Sequence, residues 1–187
     1  MTNLKEQFYK TMVPDLKKRL NCKNIHEVPR IEKVVVNVGL GSGLKDQKYK
    51  EAVEDTLRRI TGQKPLETKA RKSISNFKIR EGQIVGAKVT LRGRRMYDFV
   101  SKLVNIALPR IRDFRGISTK LVDQNGNMHI GFREHISFPE ISTDEVERIH
   151  GLEVTIVTSA KNHENGLELF RAFGFPFHED DSQVKNK

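Results

Sequence analysis

Between Arg58 and Arg95 the chain carries 12 Lys and Arg against 2 Asp and Glu. The flanks nearly cancel: residues 1–57 hold 11 cations and 8 anions, and residues 96–187 hold 11 and 14. The net charge of +10 is therefore concentrated in one stretch. Its centre reads Lys69-Ala70-Arg71-Lys72-Ser73-Ile74-Ser75-Asn76-Phe77-Lys78-Ile79-Arg80-Glu81-Gly82. Cations interleaved with hydroxyl and amide groups hold phosphate oxygens, and the commonest partner of such a block is a nucleic-acid backbone. The bland alternative is a solvated charged surface. The concentration of charge and the interleaved Ser73, Ser75 and Asn76 argue against it. Phe77 and Ile79 either stack on a base or pin the segment to the core, and pinning is the better account of both.

Other chemistries find little support. Gly39-Leu40-Gly41-Ser42-Gly43-Leu44 fails the dinucleotide pattern at its sixth position and lacks the Gly-Lys-Ser/Thr of a phosphate loop. It reads as a glycine turn joining strand to helix. The six histidines are scattered and form no metal-binding pair, so no metal is expected. No nucleophile signature is present, so no catalytic residues and no cofactor are expected. Cys22 is the single cysteine, which points to a reducing compartment and a small half-buried residue. No apolar run approaches the ~18 residues of a membrane span, and the first residues lack a signal-peptide stretch. A soluble, cytoplasmic protein with no small-molecule substrate is the expectation.

These residues need elements to position them. Leu4, Phe8 and Met12 mark a helical stripe that Pro14 kinks or ends, with Leu16 and Leu20 as a continuation. Ile31–Val38 reads as a strand with Val34, Val36 and Val38 on one face and Lys33, Val35 and Asn37 on the other. Tyr49, Val53, Leu57 and Ile60 mark a helix stopped by Gly62. Residues 84–92 alternate: Val85, Ala87, Val89 and Leu91 face one way, and Gly86, Lys88, Thr90 and Arg92 the other. Met96, Phe99, Val100, Leu103 and Ala107 form a further helix ending at Pro109. Asp123-Gln124-Asn125-Gly126 is a hairpin signal, and Ser142-Thr143-Asp144-Glu145 resembles a capping box. Val154, Ile156 and Thr158 mark a last strand, and Leu167, Phe170 and Phe173 a last helix.

The pattern predicts an α+β domain over residues 1–177, with a polar, disordered tail at 178–187. The sheet is antiparallel or mixed, with helices packed on the valine face. That leaves Lys33, Asn37, Lys88, Thr90 and Arg92 on an open face suited to the shallow groove of folded RNA.

Several segments resemble one family. They include Val28-Pro29-Arg30-Ile31-Glu32-Lys33, Gly62-Gln63-Lys64-Pro65, Thr68-Lys69-Ala70-Arg71-Lys72-Ser73 and Lys88-Val89-Thr90-Leu91-Arg92-Gly93. Pro109-Arg110-Ile111-Arg112-Asp113-Phe114-Arg115-Gly116, Phe138-Pro139-Glu140-Ile141 and Phe173-Gly174-Phe175-Pro176-Phe177 belong with them. The chain, from about Leu4 to Phe177, is similar to the bacterial type of large ribosomal subunit protein number five. The resemblance implies a place in the central protuberance of the large subunit, with 5S ribosomal RNA bound at Asn37, Gln63 and Thr90. Lys33, Lys64, Lys88 and Arg92 would supply charge there, and the large-subunit 23S RNA would be a further partner. It implies contact with peptidyl-site tRNA through the loop of Ala70–Gly82, by Arg71, Lys72, Ser73, Ser75, Asn76, Lys78 and Arg80. It also implies an intersubunit bridge to protein thirteen of the small-subunit head, from the regions of Arg112, Asp113 and Arg115 and of Asp144 and Glu145. An RNA-processing enzyme would need a catalytic constellation the residues do not offer. A stand-alone RNA-binding regulator or RNA chaperone is the other alternative.

Overall fold

The computed structural model describes residues 4–43, 46–142 and 148–178. The elements in chain order are α1 (Leu4–Gln7), α2 (Val13–Arg19), β1 (Ile31–Gly39), α3 (Gln47–Thr61), β2 (Leu66–Lys69) and β3 (Ile84–Leu91). They continue with α4 (Gly93–Lys102), β4 (Met128–Phe132), β5 (Leu152–Thr158) and α5 (His163–Ala172). The strands form one open five-stranded sheet in the order β2-β3-β1-β5-β4, an α+β architecture as the pattern predicts. The short strand β2 is not legible in the sequence. It pairs antiparallel with β3, setting Leu66 opposite Lys88 and Thr68 opposite Gly86.

Two prolines shape the helices in the same way. A proline inside a helix lacks an N–H and crowds the carbonyl four residues back. Between α1 and α2 the turn Phe8–Met12 is widened, and the Val13 N–H reaches the Phe8 carbonyl five residues back. The helix therefore runs through Pro14 to Arg19 instead of ending there. After α4 the turn Leu103–Ala107 is widened too, with Leu108 N–H donating to the Leu103 carbonyl just before Pro109.

The chain divides into two compact units: Met1–Val34 with Leu91–Ile130 and Thr155–Lys187, and Val35–Thr90 with Gly131–Val154. In the second unit α3 buries Tyr49, Val53, Leu57 and Ile60. Val36 and Val38 of β1 and Ala87 and Val89 of β3 are buried as well. Each large apolar side chain so removed from water contributes roughly 1.5–3 kcal/mol. The Asp46 carboxylate caps α3 by accepting from the Lys48 and Tyr49 N–H groups, and Gly62 ends it at φ +66. The glycine stretch joins β1 to α3 as a turn, in which Leu40 is buried and Gly41–Gly43 forms a short helical turn. His135 and His150 stack with ring centroids 3.9 Å apart, and the His150 N–H donates to His135 Nδ1 at 3.2 Å. The Tyr49 ring meets His150 edge-on. Burial, then the neighbouring His135, pushes the His150 imidazole down to about 4.

The first unit is organised by rings. Phe8 stacks on Phe173 at 5.2 Å and lies 6.2 Å from Tyr97. The Asn-Gly turn forms as predicted: Val122 pairs with Met128, and the Asp123 carboxylate accepts from the Asn125 and Asn127 N–H groups. Burial alone would raise the Asp123 carboxyl, but these bonds to Asn127 and Asn125 hold it below its ordinary value. Gly126, at φ +78, packs against Gly166 of α5, where an added Cβ on Gly166 would lie 2.5 Å from Gly126 Cα. Most of the expected capping box after Ser142, and the tail from Glu179, lie outside the described residues.

Candidate nucleic-acid interface

The alternation read from β1 and β3 is observed. Val34, Val36 and Val38 are buried, while Lys33 and Asn37 on the other face stay partly accessible. On β3 Lys88 is exposed and Thr90 half-buried, between the buried Val89 and Leu91. Gly86 is the exception on this outward face, because Thr68 of β2 covers it. A Cβ there would lie 2.8 Å from Thr68 Oγ1 and 2.9 Å from the Val38 carbonyl. Glycine is required for that close approach.

Gln63 and Lys64 follow α3 directly. The Thr61 hydroxyl donates to the Leu57 carbonyl and accepts from the Gln63 N–H, which shapes the exit from the helix. Gln63 Nε2 then donates to the Thr90 carbonyl at 3.3 Å. The structure thus brings two of the predicted residues, 27 apart in sequence, into direct contact. Lys64 is exposed. Lys33 and Arg92 belong to the other compact unit. Arg92 is exposed in extended conformation just before α4.

The segment from Ala70 to Gly82 prolongs the β2–β3 hairpin. Ala70 N–H donates to the Gln83 carbonyl, Ile74 pairs with Ile79, and the Ser73 hydroxyl accepts from the Glu81 N–H. Arg71, Lys72, Ser75, Asn76, Lys78 and Arg80 are placed along it, with Ser73 among them. All seven are exposed, and Ser73, Ser75, Lys78 and Arg80 together line an open concavity of about 1050 Å³. Lys78 takes φ +54 at the tip of the hairpin. The pinning role expected of Phe77 is corrected here: its ring is 69% exposed, because it sits in the short turn Ser75–Phe77 at the far end of the hairpin. Leu66, 64% exposed opposite Lys88, is a further apolar group on this surface. A four-residue strand is too short for its alternation to be read, so the sequence hides it.

Charge pairing separates these cations from their neighbours. Arg59 is paired with Asp55 and Arg94 with Asp98. No ion pair reaches Lys64, Arg71, Lys72, Lys78, Arg80 or Lys88 among the described residues. Unpaired and of one sign, they present a field to a polyanion. Arg112 and Asp113 are exposed in the turns after Pro109, with Asp113 at φ +52 and Arg115 two residues on. Asp144 and Glu145 lie outside the described residues. Among the described residues no group of three or more His, Cys, Asp or Glu is placed to hold a metal ion. Among them, too, no helix is long and apolar enough to cross a membrane.

Comparison with known proteins identifies the family. The family described as "Ribosomal protein L5" matches residues 24–80, and the family describing the C-terminus of the same ribosomal protein matches residues 84–177. Large ribosomal subunit protein uL5 of Halothermothrix orenii is 54% identical over 179 residues, covering 96% of this chain and 100% of its own length. The uL5 proteins of a Thermotoga species and of Macrococcus caseolyticus are 52% and 50% identical, covering 93% and 95% of this chain and 95% and 99% of their own. With the two family descriptions together spanning most of its length, the chain belongs to the ribosomal protein L5 family.

Proposed function

We propose that this protein, a structural constituent of the large ribosomal subunit and not an enzyme, holds 5S ribosomal RNA on the outward residues Asn37, Gln63, Lys64, Lys88 and Thr90. Lys33 and Arg92 add phosphate contacts. The hairpin of Arg71, Lys72, Ser73, Ser75, Asn76, Lys78 and Arg80 contacts peptidyl-site tRNA. Arg112, Asp113 and Arg115 bridge to the small-subunit head, and 23S RNA is a further neighbour. The protein works ribosome-bound in the cytoplasm. The observation that carries the reading is an amide fixed on a strand backbone, Gln63 on Thr90, beside cations that lack any carboxylate partner among the described residues. Amides and hydroxyls read ribose and base edges, while the cations supply the phosphate term. A stand-alone RNA regulator is not favoured by family membership.

The test is 5S RNA affinity at fixed salt. Asn37→Ala, Gln63→Ala and Thr90→Ala should each cost on the order of 1–3 kcal/mol if the lost bond is buried on binding. Melting temperatures should change little, since these side chains lie off the core. Wild-type affinity in all three variants removes the assignment.

A further inference from the structure

We propose that a groove beside the N-terminal helix is a second RNA site, taking one unstacked base and its flanking phosphates. The groove has a volume of about 640 Å³ and is lined by Tyr9, Pro14 and Ile25 together with Lys17, Lys18 and Lys23. No residue of the sheet face or of the hairpin lines it.

Two surface apolar groups mark it: Tyr9 is 52% exposed and Ile25 58%. The Tyr9 ring is held in place although half of it faces solvent. Phe8 packs edge-on at 5.2 Å and 74°. Tyr97, buried in the same compact unit, has its phenol pushed up to about 12, by burial first and by the nearby Tyr9 next. A fixed, accessible aromatic face is a stacking platform that loses little freedom when a base lands on it.

The charges around it lack partners. Glu6 is engaged by Lys10 and Asp15 by Arg19, whereas no ion pair reaches Lys17, Lys18 or Lys23 among the described residues. Lys17 is half-buried, so its stem lies along the apolar lining. A flat ring, an aliphatic contact and unpaired ammonium groups together match a nucleotide. An acidic peptide would meet the ammonium groups but has no use for a held aromatic face.

The experiment uses the full chain and a labelled eight-nucleotide single-stranded RNA containing 4-thiouridine. Photocrosslinking should mark the peptides of Tyr9 and Ile25 in addition to the hairpin. In a background with residues 72–80 replaced by a Gly-Ser linker, Tyr9→Leu should weaken binding about 10-fold, while Tyr9→Phe stays near wild type. Changing Lys17, Lys18 and Lys23 to Gln should flatten the log–log salt slope by up to about 2 units. Affinity for 5S RNA should be unmoved by these changes, so failure here is distinguishable from failure at the sheet face, which Asn37→Ala reports. Crosslinks confined to hairpin or sheet peptides, with wild-type binding by Tyr9→Leu, overturn the proposal. So does a Tyr9 crosslink to protein instead of RNA in large subunits.

Discussion

His150 shows how one buried side chain ties stability to pH. Its ring is buried against His135, Tyr49 lies edge-on, and its charged form is disfavoured, so the imidazole falls from 6.5 to about 4 on folding. Between those values the unfolded chain binds more protons than the folded one, so stability rises with pH across that window. The contribution is complete above about 6.5 and lost as pH falls toward 4. His150→Phe should melt lower at pH 7 because the fit against His135 and Tyr49 is disturbed, yet lose fewer degrees on acidification to pH 4.5. At about 2–4 °C per kcal/mol for a chain of this size, the difference is measurable by calorimetry. An unchanged pH slope would assign the titration to another group. None of this is visible in the sequence, where His135 and His150 are simply two of six scattered histidines.

At the level of elements, the hairpin from Ala70 to Gly82 carries its own ladder, so the rest of the sheet does not depend on it. Replacing residues 72–80 with a Gly-Ser linker should leave 5S RNA binding and the melting temperature largely intact. Peptidyl-site tRNA should dissociate faster from ribosomes carrying the variant, since phosphate contacts are lost there. Normal tRNA retention combined with loss of 5S RNA binding would make the hairpin an assembly element. The sequence told much about the elements and little about this one. Long stripes such as that of Tyr49, Val53, Leu57 and Ile60 announce α3, and alternation announces β1 and β3. The strand β2 has four residues, three of which are polar or charged, so no period could announce it. Phe77 misled for a related reason: apolar residues usually mark the core, and a hairpin tip that holds one outside breaks that rule.

For the molecule as a whole, the pairing of Arg59 and Arg94 with carboxylates and the isolation of Lys64 and Lys88 decide how RNA affinity responds to salt. Lys88→Gln should lower affinity for any RNA and flatten the log–log salt slope by somewhat under one unit. Altered discrimination between RNAs at constant slope would show that Lys88 reads structure. The concentration of charge was legible from composition, and so was the open face, because the valines of β1 left Asn37 on the other side. The Gln63–Thr90 bond was not, since it joins residues that no local period connects. That bond also fixes polarity. A backbone carbonyl only accepts, so the Thr90 carbonyl engages the amide nitrogen of Gln63 and the Gln63 oxygen is left to a partner. What docks there must offer a donor, and a ribose 2′-hydroxyl does so where deoxyribose has nothing. A DNA strand of the same sequence would leave that oxygen without its bond, and the protein would tell the two backbones apart by one hydroxyl.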